Sequence, residues 1–216
     1  MMHTKKANFI NFSAILILSP HTDDAEISAG GTITKLSEKC KEIHYTAFSW
    51  RAKDLEDPEI LKNECSRATQ ILGISNKNLL FEDYEVRNFL SNRQSILEDL
   101  IMLKKGIQPD LVLVPSSFDV HQDHRVIYEE ALRAFKPSAS IFGYEHPWNN
   151  YMFSTDVFVR LQKRDIQKKI EALNQYKSQH SRPYFNKDYI KSLAITRGVQ
   201  CNSQFAEAFE LLRLVM

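Results

Sequence analysis

Two short segments hold the side chains in this sequence best suited to chemistry. His21, Asp23 and Asp24 crowd one turn, and Asp119, His121, Asp123 and His124 crowd another far along the chain. Imidazole nitrogen and carboxylate oxygen are good zinc ligands, and three protein ligands with one open position is the arrangement of a catalytic zinc site. His21 and Asp24 lie three apart on one turn, and His124 comes from the other. Neighbours such as Asp23 and Asp24 cannot easily point the same way. One acid can therefore bind a metal while the other faces the water to be activated, the division that metal-assisted hydrolysis requires. His121 is spaced to donate to a developing oxyanion or to a leaving amine. Asp123 suits a carboxylate that holds a histidine in one tautomer.

Both turns need a rigid edge beneath them. Ile15–Leu18 and Leu111–Val114 are continuous apolar runs, short enough for strands buried on both faces of a parallel sheet. Each run is closed by a proline, Pro20 and Pro115, read here as ending the strand pairing. The acids and histidines then fall at the carboxyl ends of strands, where open α/β sheets place their ligands. After the first turn, Gly30 and Gly31 are read as loosening the backbone before a helix over Thr32–Cys40, and Val126–Phe135 reads as the helix after the second. Between them the pattern predicts a strand at Ile43–Phe48, a polar loop at Ser49–Pro58 and a helix at Glu59–Leu72 stopped by Gly73. A short strand at Leu79–Phe81 and a helix at Asn92–Lys105 follow. Further on come strands at Ile141–Glu145 and Val157–Arg160, helices at Arg164–Tyr176 and Tyr189–Gly198, and an apolar end, FAEAFELLRLVM, expected to pack on the sheet. No repeat or linker divides the chain, so one domain over residues 1–216 is expected.

The overall balance excludes several classes. With 28 basic against 27 acidic residues there is no bulk attraction to nucleic acid or to an anionic membrane. The cysteines are three in number and in no CxxC arrangement, which argues against a disulfide framework or a cysteine zinc site and fits a reducing compartment. The start, MMHTKKANFINFSAILILSP, has lysines ahead of an apolar stretch, but Asn8, Asn11 and Ser13 interrupt it and the apolar core is too short to span a bilayer. It is read as the approach to the first strand of a soluble cytoplasmic protein without membrane insertion.

At this point a resemblance becomes specific. PHTDDAEISAGGTI and PSSFDVHQDH resemble the two signatures of the zinc-dependent N-deacetylases of the PIG-L or LmbE-like family, H-P-D-D-E or H-P-D-D-A-E and H-x-D-H. It extends through ECSRATQILG and, more weakly, KSQHSRPYF and FAEAFE. The resemblance implies a Rossmann-like α/β/α sandwich with a mostly parallel sheet. It implies zinc on His21, Asp24 and His124, Asp23 as general base, His121 as acid or oxyanion donor, and Asp123 as the electrostatic partner of His121. The implied reaction is hydrolysis of an acetamide on an amino sugar or sugar conjugate. Iron or cobalt fits the same three ligands. A homo-oligomer stays open, because some relatives form them. Thr22 stands where the family has proline, and Ser49-Trp50-Arg51 where many members have a glycine-containing turn, so the substrate is the part least defined.

Each residue also has a plainer reading. Asp23 and Asp123 could simply cap helices. Gly30 and Gly31 suit close packing better than phosphate binding, since AGG is no G-x-G-x-x-G. Arg51 is a candidate for binding a substrate phosphate, carboxylate or hydroxyl, and a solvated surface residue otherwise. Trp148, Tyr144 and Tyr151 are candidates for a sugar-stacking wall, or ordinary core aromatics. Glu145 and His146 are candidates for the rim or for a place behind the ligands, and Arg182 near Tyr184 is a weak candidate for substrate contact. Two competing functions remain at this level: a metal-dependent hydrolase of another amide, carbamoyl or ester bond, and a non-catalytic metal or sugar binding module.

Overall fold

The computed structural model describes residues 12–40, 42–51 and 57–215. The amino-terminal approach up to Asn11 and residues 52–56 of the polar loop lie outside that description. In chain order the elements are β1 (Ala14–His21), α1 (Asp24–Ser37), β2 (Glu42–Ser49), α2 (Ile60–Ile71) and β3 (Leu79–Phe81). They continue with α3 (Arg93–Ile107), β4 (Leu111–Pro115), α4 (Gln122–Phe135) and β5 (Ser140–Tyr144). The remainder is β6 (Val157–Leu161), α5 (Lys163–Leu173), α6 (Lys187–Gln200) and β7 (Phe205–Arg213). Among the described residues no helix is long and apolar enough to cross a membrane.

The strands form one seven-stranded sheet in the order β3-β2-β1-β4-β5-β7-β6. Pairing is parallel from β3 through β5, and β7 runs antiparallel to both its neighbours. Alternation along β1 explains its unbroken apolar run. Ile15 and Ile17 join the core with α1, α2, α5 and α6, while Leu16 and Leu18 join the core with α3 and α4. A strand buried on both faces needs apolar residues at every position. The expected layered α/β architecture is therefore the one observed, with a switch of direction between β1 and β4. Such a switch point opens a crevice at the carboxyl ends of the strands.

Several boundaries differ from the sequence pattern, each for a local reason. β1 runs through Pro20 to His21 against β2, although its pairing with β4 stops at Ile17. α1 begins at Asp24 and carries Gly30 and Gly31 in its interior. A Cβ on Gly30 would come within 2.9 Å of Lys169 Cγ, and one on Gly31 within 2.6 Å of Leu161 Cδ1. The glycines thus allow close approach of α5 and β6, not entry into a helix. α4 starts at Gln122, so His121 caps it. α5 ends at Leu173, and Gly198 lies inside α6, where a Cβ would meet the Ser203 carbonyl oxygen at 2.6 Å. Gly73 follows α2 as expected, at φ +94°. The apolar end of the chain is itself a strand, β7, and does not merely pack on the sheet.

β7 carries two buried carboxylates that reach out of the sheet. Glu207 accepts the backbone N–H groups of Gly31 (3.0 Å) and Thr32 (2.6 Å) and pairs with the buried Lys169 ammonium (2.6 Å). Glu210 accepts from Ser116 Oγ and the Ser117 N–H, both at 2.8 Å, and so grips the turn after β4. Removing one partner of a buried ion pair strands the other charge. Glu207→Ala is therefore expected to lower stability by about 3–5 kcal/mol, measured as a reduced midpoint in urea unfolding, with Glu207→Gln losing less because it keeps an acceptor.

Candidate active site

His21 ends β1 and Asp24 opens α1, so one tight turn presents both side chains. The His21 N–H donates to Asp24 Oδ2 (2.8 Å), and the Ala25 N–H donates to Ser19 Oγ (3.2 Å). His124 comes from the first turn of α4 across the switch point. His21 Nδ1 lies 3.0 Å from Asp24 Oδ2, His124 Nε2 lies 3.1 Å from that oxygen, and the two ring nitrogens are 3.3 Å apart. Three donors at ordinary zinc bond lengths in a tetrahedron stand about 3.3 Å from one another. The triangle formed by the expected ligands therefore fits one divalent cation.

The electrostatics favour positive charge at the same point. Burial alone would lower both imidazole pKa values. The Asp24 charge, with hydrogen bonds to Asp123 and Asp24 for His21 and to Asp119 and Asp24 for His124, overrides that effect and raises them to about 9 and about 10. Burial would raise Asp24, but the two rings hold it well below the usual carboxylate range. A carboxylate and two imidazoles in this field suit zinc, and iron or cobalt by the same donor chemistry.

Each histidine is oriented from behind. His21 Nε2 is 3.1 Å from Asp123 Oδ2, an oxygen that also accepts the Arg87 N–H (2.8 Å). Arg87 adopts a left-handed φ of 67°, an uncommon conformation for a residue with a Cβ, which brings the β3–α3 loop into the site. Asp123 Oδ1 is buried without a hydrogen-bond partner among the described residues. The Asp123 carboxylate thus faces His21, whereas the resemblance paired it with His121; its backbone N–H is what meets His121, at Nδ1 (3.2 Å). Behind His124 stands Asp119, whose Oδ2 lies 2.7 Å from His124 Nδ1 and 2.9 Å from His146 Nδ1. His146 is fully buried, with Nε2 3.2 Å from the Asp24 carbonyl oxygen. Asp24, His124 and His146 form a second donor group within 4.8 Å, as do His21, His121 and His124. Asp119 received no role from its spacing, and His146 was a candidate for the rim or for a place behind the ligands, of which the structure gives it the second. The usable signal for Asp119 was an acid in the same turn as HQDH.

Asp23 and His121 flank this triangle. Asp23 precedes α1 without making a side-chain cap, which removes the plain helix-capping reading. Burial and the neighbouring Asp24 charge push its pKa up to about 6, against the pull of Arg182 and His21. A carboxylate in that range suits a general base working near neutral pH. Burial and the nearby His124 and His21 rings bring His121 down to about 4. With Nδ1 accepting from the Asp123 N–H, a neutral His121 carries its proton on Nε2, the nitrogen then able to donate.

The residues expected to touch substrate separate. Tyr144 is fully buried and its hydroxyl donates to the Leu18 carbonyl (2.8 Å), so it is a core residue and not part of a sugar wall. Arg51 makes a two-pronged ion pair with Asp83 on the surface and lies 4.5 Å from the Trp50 ring centroid. Trp148 stands beside the site, 5.0 Å from the His146 ring, and stacks on Tyr184 at 4.1 Å with 8° between planes. Tyr151 is 90% exposed and takes no part in that stack.

Because Asp119 orients both His124 and His146, Asp119→Ala is expected to weaken metal binding by roughly 10- to 100-fold, the usual effect of removing such a support. Titration of the metal-free chain with zinc in a competing chelator would measure it, and an unchanged affinity would remove Asp119 from the site.

The stretch that holds both turns also matches a known family. Residues 16–135, which hold both, match the PIG-L family, described as GlcNAc-PI de-N-acetylase. The uncharacterized deacetylase YaiS of Escherichia coli (strain K12) is 31% identical over 170 residues, covering 76% of this chain and 90% of its own length. The structure of N,N'-diacetylchitobiose deacetylase from Pyrococcus horikoshii, complexed with its inhibitor MPG, aligns with a TM-score of 0.74 at 20% identity, covering 94% of this chain and 84% of that one. GalB, the 4-carboxy-2-hydroxymuconate hydratase of Pseudomonas putida KT2440, aligns with a TM-score of 0.76 at 22% identity, covering 94% and 98%. At such identities the two structures speak for the fold alone. The family match extends over more than half of the sequence and encloses both turns that build the site, and on that ground the chain belongs to the PIG-L family.

Proposed function

We propose that this chain is a zinc-dependent N-deacetylase that hydrolyses the acetamide of an amino sugar or sugar conjugate to acetate and a free amine. The observation that carries this reading is the triangle of His21, Asp24 and His124 with a non-capping carboxylate, Asp23, beside it. The names of the relatives, deacetylases in two of the three compared, point the same way.

In this reading His21 Nδ1, Asp24 and His124 Nε2 hold the cation. When bound, a divalent cation supplies Lewis acidity, drawing charge from an amide carbonyl and lowering the pKa of water. Asp23 accepts a proton from the attacking water as its oxygen bonds to the carbonyl carbon. His121 donates from Nε2 to the oxygen that becomes negative, a role a neutral imidazole can fill. The carbon–nitrogen bond then breaks, and the proton held by Asp23 passes to the departing nitrogen, so one water is consumed and acetate and amine leave. Asp123 and Asp119 keep the two ligand rings in the tautomers this requires.

A second reading keeps the water chemistry and changes the bond. It is favoured by one observation, that GalB, named as a hydratase, shares this fold as closely as the diacetylchitobiose deacetylase does. The deciding experiment is acetate release from N-acetylated sugars, free and nucleotide-linked, by zinc-loaded protein with and without a chelator. Release that the chelator abolishes is expected; acetate from no member of the panel counts against the deacetylase. Asp23→Asn is expected to lower turnover by roughly 10²- to 10⁴-fold with metal content unchanged by elemental analysis, whereas His21→Ala is expected to lose the metal. Full turnover by Asp23→Asn would mean the base lies elsewhere.

A further inference from the structure

The segment KSQHSRPYF, which follows Tyr176, is held from three directions, while Lys177, His180, Ser181, Arg182 and Pro183 are left exposed. At its start the Tyr176 hydroxyl reaches Thr22 O and Glu26 Oε1, under the catalytic turn. Next, the buried Glu64 of α2 accepts both the Ser178 N–H (3.1 Å) and the Ser178 hydroxyl (2.6 Å). At its end Tyr184 stacks face to face on Trp148 at 4.1 Å, and Trp148 in turn sits 5.0 Å from the His146 ring behind Asp24. Tight anchoring of an irregular, partly exposed loop fits a binding surface better than a simple connection.

Arg182 is one of the exposed residues on that segment, and the one that carries a guanidinium. One of its nitrogens, Nη1, donates to the Tyr184 hydroxyl (2.6 Å), which aims the guanidinium beside the aromatic pair. Among the described residues it forms no ion pair within 4.0 Å with an acid. A guanidinium carries five N–H donors in a planar fork that matches carboxylate or phosphate. Its charge also bears on Asp23, pulling that carboxyl downward, so it lies within electrostatic reach of the reacting end of the site. A fixed, exposed cation next to an aromatic platform and within reach of the base has the makings of an anion subsite.

We propose that Arg182 is the specificity-determining residue of this site, and that the amino sugar it accepts carries an anionic substituent, a phosphate or carboxylate, bound by the Arg182 fork alongside the Trp148–Tyr184 pair. This rests on the amino-sugar reading above. The alternative is that Arg182 serves only to offset the charges of Asp23 and Asp24, in which case it would affect neutral and anionic sugars alike.

The test is the affinity of the zinc-loaded full chain for glucosamine 6-phosphate relative to glucosamine, by calorimetry, in wild type, R182Q and R182K. Wild type is expected to prefer the phosphorylated amine, and R182Q to reduce that preference by roughly ten- to a hundredfold, the worth of charge-assisted hydrogen bonds. R182K, which keeps the charge but not the fork, is expected to fall between. No preference in wild type, no measurable binding of the phosphorylated amine, or a preference unchanged in R182Q overturns the proposal. Glucuronate compared with glucose in the same measurement separates a carboxylate site from a phosphate site. Acetate release from N-acetylglucosamine 6-phosphate is followed separately. A preference that depends on Arg182 without any release would keep the subsite and sink the deacetylase reading, while release without the preference would do the reverse.

Discussion

Asp24 and the two imidazoles of His21 and His124 form the constraint around which the site is arranged. A carboxylate and two rings cannot be buried within about 3.3 Å of one another unless something positive balances them and something rigid prevents their drifting apart. The first condition is a preference for positive charge at the triangle, seen in imidazoles raised and a carboxyl lowered together, and a divalent cation would meet it. The second is met by acids one step further out. Asp123 grips His21, and Asp119 grips His124 and His146. Asp119 Oδ1 also accepts the His121 N–H (2.8 Å), so one carboxylate organises the whole HQDH turn. Removing such an acid changes where a ring nitrogen points, which a metal ligand cannot tolerate.

Farther from the site, buried carboxylates do similar work on the backbone. Glu207 holds the middle of α1, Glu210 holds Ser116 and Ser117 at the base of the turn after β4, and Glu64 holds Ser178. These glutamates lie in the FAEAFE and ECSRATQILG segments, the parts of the family resemblance that bear no reactive group. Their resemblance is explained by geometry: each satisfies polar groups on a neighbouring element and so fixes the distance between two layers. Glu26 belongs with them. Burial pushes its pKa up to about 8, offset in part by the Tyr176 and Tyr45 hydroxyls, and it lies beneath the turn that carries Asp23 and Asp24.

A scaffold of this kind does not by itself select a reaction: a protein named as a hydratase and one named as a deacetylase share this fold. In this chain the loops after β3 and β5 and the segment after α5 all converge at the switch point, through Arg87, His146 with Trp148, and Tyr184. The walls around the triangle are therefore built from residues far apart in sequence.

Local pattern alone determined a good deal. Strand positions followed from apolar runs, because a strand buried on both faces admits almost nothing else. The two acid-and-histidine turns stood out because those residue types at a strand's carboxyl end seldom serve packing. The short range of that signal was also its limit. Where α1 starts, why Gly30 and Gly31 sit inside it, and that the chain's end inserts as β7 between β5 and β6 depend on which elements come to lie against each other. Tyr144 and Trp148 are both aromatics near the same bend, but only the register of β5 turns Tyr144 into the core and leaves Trp148 beside the site. Likewise, no spacing could tell that Asp123 would face His21 from the other turn, or that Asp119 would hold His146 twenty-seven residues away. Residue type and spacing decide which chemistry a chain can perform, whereas the pairing of side chains across β1, β4 and β5 is decided only when the sheet closes and buries them together.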